Sequence, residues 1–222
     1  MRVEAVIFDC DGVLVDSEPI TMAVLAAMAN DAGLSITEHD AAELFMGKSL
    51  REDIRIIESQ LGKPLPAGWT EAYLARRNAA LSAHVVAVTG IVHVLDVLAA
   101  RGIAIAVASG GDRAKMRLTL GTTGLLHRFE APDRPSSWLF GADMVEHAKP
   151  APDVYLMAAR ALGVDPSRCL VIEDTPVGVQ AGAAAGAIVF GYCERNDPRK
   201  LLAHGASAVF ADMHRLPDLL SH

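Results

Sequence analysis

Paired cysteines and clusters of basic residues are both missing from this sequence. Its three cysteines, Cys10, Cys169 and Cys193, are scattered, with no spacing typical of a metal site or a disulfide framework. We therefore predict a reducing, cytoplasmic location. The net charge is −7 at pH 7, so the basic footprint of a nucleic-acid-binding protein is missing and we predict no nucleic-acid partner.

Long apolar segments are also missing. Glu4 and Asp9 interrupt the apolar start that a signal peptide would need. The most apolar stretch, residues 85–100, contains polar residues such as His93 and Asp96 and does not match a membrane span. We expect no membrane partner, and a monomer is the default expectation.

The sequence does have an ordinary globular composition and a clear change of pattern along its length. Its 222 residues, 51% of them hydrophobic, are enough to bury a sizeable core. Residues 16–87 show helical patterns only, whereas apolar strands alternate with helices from residue 88 onward. Such alternation is typical of a parallel sheet covered by helices on both faces. We predict a Rossmann-like α/β core, residues 1–15 and 88–222, with an inserted all-helical cap domain at 16–87.

Polar residues follow three of the predicted strands. These residues are Asp9, Asp11, Ser109, Gly110, Glu173 and Asp174. Ligands collect at the carboxyl ends of parallel strands, so we expect these side chains to share one site. Asp9 and Asp11 can face the same side because residues i and i+2 of an extended segment do so. Two carboxylates this close need a counter-charge, and their oxygen ligands favour Mg²⁺.

Four motifs in this order resemble those of the haloacid dehalogenase superfamily. They are "DCDGVLVDSE" (9–18), Ser109 in "VASGG", Lys149 in "AKPAPD" and "VIEDTPVGVQAG" (171–182). The resemblance covers nearly the whole chain, including the cap after the first motif. It is closest to the branch that contains β-phosphoglucomutase and small sugar-phosphate phosphatases. The first and fourth motifs are specific, whereas the second and third carry weight only in this order and spacing.

The resemblance implies a metal and catalytic role for four carboxylates. Asp9 would be both a metal ligand and the nucleophile that forms an aspartyl-phosphate. Asp11 would be the general acid and base, and its backbone carbonyl would also bind the metal. Asp174 would bind the metal directly, and Glu173 either directly or through water.

The resemblance also implies a phosphate-binding set. Ser109 and the amide of Gly110 would hold phosphoryl oxygens, and Lys149 would offset the charge on the nucleophile and the phosphate. Gly12 would let the backbone turn so that nearby N–H groups face the phosphate.

These residues predict a Mg²⁺-dependent phosphatase acting on a small phosphorylated metabolite. A phosphosugar mutase is the alternative, although mutases of this branch carry a histidine where Thr21 stands here. The "GGDR" that follows Ser109 also lacks the mutase-like Ser-Lys-Asn pattern. A dehalogenase is disfavoured by Asp11 and Asp174, and a non-catalytic binding module has no support because no motif position is lost.

Substrate choice is expected to depend on the cap. By resemblance the loop at 46–53 faces the site, which makes Gly47, Lys48 and Arg51 candidates for substrate contacts. Lys48 and Arg51 also suit a solvated helix start equally well. The first motif, together with "KM" at 115–116, is similar to bacterial phosphatases of phosphorylated sugar acids. We therefore predict a sugar phosphate or a sugar-acid phosphate as the substrate.

Overall fold

The computed structural model describes residues 3–45, 48–130 and 137–220. The chain divides into two compact units. The α/β unit comprises Met1–Asp16 and Val86–His222, and the helical unit comprises Ser17–Val85. That the helical unit acts as a cap stays a prediction.

A parallel sheet forms the centre of the α/β unit. The strands in the described part of the chain are β1 (Ala5–Phe8), β2 (Val15–Asp16), β3 (Val86–Ala87), β4 (Ala104–Ala108), β5 (Leu139–Phe140), β6 (Cys169–Glu173), β7 (Ile188–Tyr192) and β8 (Ala208–Phe210). Six of these described strands lie in the order β5-β4-β1-β6-β7-β8, and all of their pairings are parallel. The predicted Rossmann-like α/β fold is confirmed.

Strand β1 lies where the order of connections reverses. The chain runs from β1 outward through β4 to β5, and then returns to the other side of β1 to form β6. Ligands of open α/β sheets bind beyond the carboxyl end of a strand at such a switch point. Every residue of β1 and of β6 is buried, which explains why both are continuous apolar runs.

Helices occupy most of residues 18–84 and alternate with strands from residue 88 onward, as the sequence pattern predicts. In the described residues they are α1 (Glu18–Asp31), α2 (Glu38–Phe45), α3 (Leu50–Leu61), α4 (Trp69–His84), α5 (Ile91–Ala100), α6 (Arg113–Thr122), α7 (Asp153–Leu162), α8 (Pro176–Ala184), α9 (Pro198–Ala203) and α10 (Leu216–Leu219). Helices α1 to α4 belong to the helical unit. Among the residues described, no helix has both the length and the apolar character that crossing a bilayer requires.

A two-residue antiparallel ladder between β2 and β3 was not predicted. Val15 pairs with Ala87, and Asp16 pairs with Val86, where the chain leaves and re-enters the α/β unit. Two residues are too few to show the alternation by which a strand is predicted from sequence.

Helix α3 shows how local sequence sets the start of an element in the helical unit. Ser49 Oγ accepts a hydrogen bond from Glu52 N at 3.3 Å, and Glu52 Oε2 accepts one from Ser49 N at 2.8 Å. This reciprocal pair is a capping box, as the spacing of the two residues predicts. Ile54 and Ile57 of the same helix pack into the core of the helical unit.

A buried carboxyl group lies on the apolar face of α3. Asp53 is only 5% exposed, and its Oδ1 has no hydrogen-bond partner among the described residues. Burial raises the pKa of Asp53 to about 7, Lys48 partly offsets this rise, and Glu52 adds to it. The folded chain therefore keeps a proton on this group at pH values where the unfolded chain has released it.

Replacing Asp53 by asparagine is expected to make the protein more stable at pH 8. Between pH 4 and pH 7 the folded wild type binds more protons here than the unfolded chain, so its stability falls as the pH rises. The gap between the two pKa values corresponds to at most about 4 kcal/mol, and we expect a gain of about 2–4 kcal/mol in the free energy of unfolding at pH 8. Urea unfolding at pH 4 and pH 8 measures this, and the gain should be nearly absent at pH 4.

The exposed Asp31 of the same helical unit provides the matched control. Asp31→Asn should leave in place the fall in stability that Asp53 causes between pH 4 and pH 7. If Asp53→Asn shows the same pH dependence as the wild type, Asp53 ionises in the folded state as readily as in the unfolded chain, and the interpretation is wrong.

Candidate active site

Three buried carboxylates meet at the carboxyl ends of β1 and β6. Asp9 follows β1 directly, Glu173 ends β6, and Asp174 comes next. The amide of Asp9 donates to the carbonyl of Ile172 at 2.9 Å, which extends the ladder between the two strands to the edge of the site. Each of the three carboxylates offers an oxygen within 4.8 Å of the others. Oxygen ligands at this spacing fit a hard divalent cation such as Mg²⁺.

Lys149 connects the nucleophile candidate to the end of β6. Its Nζ lies 2.7 Å from Asp9 Oδ1 and 2.6 Å from Glu173 Oε1, and it also donates to the carbonyl of Ala108 at 3.0 Å. Although burial opposes the charge, Asp9 and Glu173 together raise the pKa of Lys149 well above its usual value. Lys149 is therefore a permanent cation between two buried acids.

Glu173 is held by hydrogen-bond donors on both oxygens. Its Oε1 accepts from Lys149 Nζ and from Tyr155 OH at 2.9 Å. Its Oε2 accepts from the amides of Asp174 and Thr175 and from the Thr175 hydroxyl, each at 3.0 Å. These five donors fill the roughly four acceptor sites of a carboxylate. The donors from Asp174 and Thr175 also tie Glu173 to the start of α8.

Gly12 lies directly against Asp174. Its φ is +77°, and a Cβ at this position would lie 2.2 Å from Asp174 Oδ2. Only glycine allows this backbone conformation and this close approach together. The amide of Gly12 donates to the carbonyl of Val15 at 2.9 Å, so that amide belongs to the turn. The role of the turn in facing N–H groups toward a phosphate stays a prediction.

Asp11 is bound by a different lysine. Lys115 Nζ, from the first turn of α6, donates to Asp11 Oδ2 at 2.9 Å. Asp9 and Asp11 are thus two residues apart in sequence but paired with separate cations, Lys149 and Lys115. This pairing explains how two carboxylates can lie so close together.

Ser109 follows β4 and is buried. Its amide donates to the carbonyl of Phe140 at 2.9 Å, and its Oγ accepts from the amide of Gly111 at 3.0 Å. The turn through Gly110 and Gly111 therefore leads from the sheet into α6 with the serine hydroxyl fixed. This places Ser109 at the same sheet edge as Asp9, as predicted from the strand ends.

The electrostatics of Asp9 indicate that one lysine does not fully compensate it. Burial raises the pKa of Asp9 to about 7, Lys149 acts in the opposite direction, and Glu173 and Asp11 raise it further. A second positive charge would keep Asp9 ionised at neutral pH. The carboxylate cluster thus fits a divalent cation by its charge as well as by its ligand atoms.

Three supporting residues were not identified from the sequence as site residues. Tyr155 donates to Glu173, Lys115 binds Asp11, and Asn196 Nδ2 donates to the carbonyl of Asp174 at 2.8 Å. From the sequence, Lys115 was considered only as part of the "KM" at 115–116 that resembles bacterial phosphatases of sugar-acid phosphates, and it was given no role in the site. No local pattern distinguishes Tyr155 or Asn196 from an ordinary helix or loop residue.

The predicted substrate contacts belong to the helical unit. Gly47 lies outside the described residues. Lys48 and Arg51 are exposed, and Arg51 lies in the first turn of α3. Their contact with a substrate stays a prediction.

The fold and these contacts define an α/β enzyme with an acidic, lysine-paired site at the carboxyl edge of its sheet. A family model for haloacid dehalogenase-like hydrolases matches residues 3–186. The chain is also 32% identical over 220 residues to 6-phosphogluconate phosphatase of Escherichia coli (strain K12), covering 98% of this chain and 95% of that protein. The chain belongs to the haloacid dehalogenase-like hydrolases.

Solved structures with the same fold include two informative relatives. A hydrolase of this family from Deinococcus radiodurans R1, crystallised with phosphate and sodium, has a TM-score of 0.82 at 30% identity and covers 99% of this chain and 96% of its own. A putative β-phosphoglucomutase from Thermotoga maritima has a TM-score of 0.81 at 27% identity, with 99% of both chains covered. The predicted family and the predicted enzyme class, a phosphatase, are confirmed.

Proposed function

We propose that this chain is a Mg²⁺-dependent phosphomonoesterase that works through an aspartyl-phosphate on Asp9. The observation that carries the proposal is the separate pairing of two aspartates that are two residues apart, Asp9 with Lys149 at 2.7 Å and Asp11 with Lys115 at 2.9 Å. One carboxylate can then act as the nucleophile while the other transfers protons.

In the first step Asp9 attacks phosphorus in line with the leaving oxygen. The bond from phosphorus to the leaving oxygen breaks, and that oxygen takes a proton from the Asp11 carboxyl group. Ser109, the amide of Gly110 and Lys149 stabilise the negative charge on the phosphoryl oxygens.

In the second step a water molecule attacks the aspartyl-phosphate. Asp11, now a carboxylate, accepts the proton of that water, and the bond between phosphorus and Asp9 breaks to release inorganic phosphate. Both aspartates return to their starting protonation states. The overall reaction is hydrolysis of a phosphomonoester.

We place the Mg²⁺ ligands at Asp9, Asp174 and the backbone carbonyl of Asp11. When bound, Mg²⁺ supplies charge stabilisation for the transferring phosphoryl group. Glu173 would act on the metal through a water molecule, since both of its oxygens already accept several hydrogen bonds.

For the substrate we propose a small sugar phosphate or sugar-acid phosphate. The relative from Escherichia coli is a 6-phosphogluconate phosphatase, and its similarity spans nearly the full length of both chains. Lys48 and Arg51 of the helical unit stay candidates for contacts to the leaving group. The predicted monomeric state and cytoplasmic location also stay proposals.

Removing divalent cations is expected to abolish phosphate release. We expect the purified protein with Mg²⁺ to hydrolyse p-nitrophenyl phosphate and at least one member of a panel of glucose 6-phosphate, fructose 6-phosphate and 6-phosphogluconate. Excess EDTA should reduce the rate at least about 100-fold, and added Mg²⁺ should restore it. Full activity in EDTA would contradict the metal-dependent mechanism, and inactivity on every sugar phosphate would remove the substrate proposal.

A phosphosugar mutase is the second candidate, favoured by the likeness to the putative β-phosphoglucomutase. Supplying β-glucose 1-phosphate with its bisphosphate activator distinguishes the two reactions. A phosphatase releases inorganic phosphate, whereas rapid formation of glucose 6-phosphate would show that the chain is a mutase.

A further inference from the structure

Lys115 binds the acid–base aspartate, and the mechanism above gives it no role. Its Nζ lies 2.9 Å from Asp11 Oδ2, and the two side chains are only 13% and 25% exposed. Partial burial strengthens this ion pair relative to a solvated surface pair.

The position of Lys115 in its helix is unfavourable for stability alone. It lies in the first turn of α6, where the helix dipole favours acidic side chains over basic ones. The other basic residues nearby, Arg113 and Arg117, form more exposed pairs with Asp143 and Glu130. Lys115 instead turns inward to the site.

The turn that precedes α6 brings Lys115 and the catalytic residues together. A Cβ placed on Gly111 would lie 3.4 Å from Ser109 Oγ, 3.6 Å from Lys115 Cδ and 3.8 Å from Asp11 Oδ2. Asp112 fixes the backbone here, because its Oδ1 accepts from the amide of Lys115 at 2.8 Å. The lysine stem therefore runs beside the candidate phosphate-binding serine and ends on Asp11.

We propose that Lys115 is a positioning residue for Asp11. The ammonium of Lys115 holds Oδ2 of Asp11 and so fixes the plane of the carboxyl group. Oδ1 is then the atom that gives its proton to the leaving oxygen. This proton transfer accompanies the breaking of the bond from phosphorus to the leaving oxygen and the formation of the bond from phosphorus to Asp9. This inference rests on the proposed phosphatase function. The positioning role requires no change in the charge of Lys115.

Lys115→Met tests the proposal through the leaving group. A sugar alkoxide needs a proton as it departs, whereas p-nitrophenolate departs without one. We expect kcat/KM to fall about 10–100-fold for the best sugar phosphate of the panel and less than about threefold for p-nitrophenyl phosphate. Lys115→Arg should recover part of the loss, because its guanidinium can still donate to Asp11. Arg117→Met, two residues away in the same helix, is the matched control and should change neither value more than about twofold.

The outcomes separate this inference from the proposed function. Equal losses on both substrates would show that Lys115 binds the phosphate or supports the fold, and unchanged kinetics would show that it does not position Asp11; either overturns the inference alone. A wild type that is inactive on both substrates would overturn the proposed function and this inference with it. If Lys115→Met unfolds, Lys115→Leu, which also removes the ammonium and leaves no hydrogen-bond donor, provides the same comparison.

Discussion

Asp9→Asn is expected to reduce phosphate release by at least about 10³-fold, the scale of loss seen when an enzyme loses its nucleophile. The amide has the shape of the carboxylate but cannot attack phosphorus or carry the phosphoryl group. The variant should remain folded, because Lys149 keeps Glu173 as a partner at 2.6 Å. Steady-state phosphate release measures the loss, and mass spectrometry after rapid acid quenching should detect a phosphorylated aspartate in the wild type only.

The same substitution at an exposed site provides the control for Asp9→Asn. Asp96 lies on α5, more than half exposed, and pairs with Arg128 on the surface. Asp96→Asn should keep wild-type turnover within about twofold. An Asp9→Asn variant that retained more than about a tenth of the wild-type rate would show that Asp9 is not the nucleophile.

The positions of the candidate-site aspartates Asp9 and Asp174 could be predicted from sequence because they follow from chain topology. Asp9 and Asp174 come directly after neighbouring parallel strands, and the carboxyl ends of such strands share one edge. Ser109 follows from the same rule on β4. These predictions needed only the alternation of strands and helices, with no knowledge of side-chain contacts.

The contacts of the long side chains could not be predicted in this way. Lys115 is 104 residues from Asp11 in sequence, and Lys149 is 140 residues from Asp9. Helical spacing predicts on which face of a helix a lysine lies. It does not predict the position of the ammonium group, because the lysine side chain has four flexible torsion angles. Lys149 received its role only through the resemblance of its motif, and Lys115 was not given a role.

The buried position of Asp53 was not predicted, although the sequence contains the information for that prediction. Asp53 stands three residues after Leu50 and four before Ile57, so helical periodicity places it on the apolar face of α3. The same periodicity places the hydrophobic residues Leu50, Ile54 and Ile57 on that face, with the charged residue among them. A carboxylate on an apolar stripe is a signal of a raised pKa or of an unrecognised partner.

Lys149→Met is expected to weaken both turnover and folding. Turnover should fall about 10²–10³-fold, because the ammonium that offsets charge on Asp9 and on the phosphoryl oxygens is lost. The free energy of unfolding should fall by about 3–5 kcal/mol, the usual cost of leaving a buried charge without its partner. Phosphate release and urea unfolding, both compared with Lys200→Met on an exposed position of α9, measure the two effects.

The two losses should respond differently to Mg²⁺. In EDTA, Lys149→Met leaves Asp9 and Glu173 buried with their main counter-charge gone, so the destabilisation should be largest there. Added Mg²⁺ returns positive charge to the carboxylate cluster, so it should stabilise Lys149→Met more than the wild type. Turnover of Lys149→Met should stay low even with Mg²⁺, because no cation occupies the position between Asp9 and Glu173 that Lys149 Nζ has in the wild type. A variant as stable as the wild type in EDTA would contradict the assignment of Lys149 as the internal counter-ion of this site, and full turnover with Mg²⁺ would contradict its role in phosphoryl transfer.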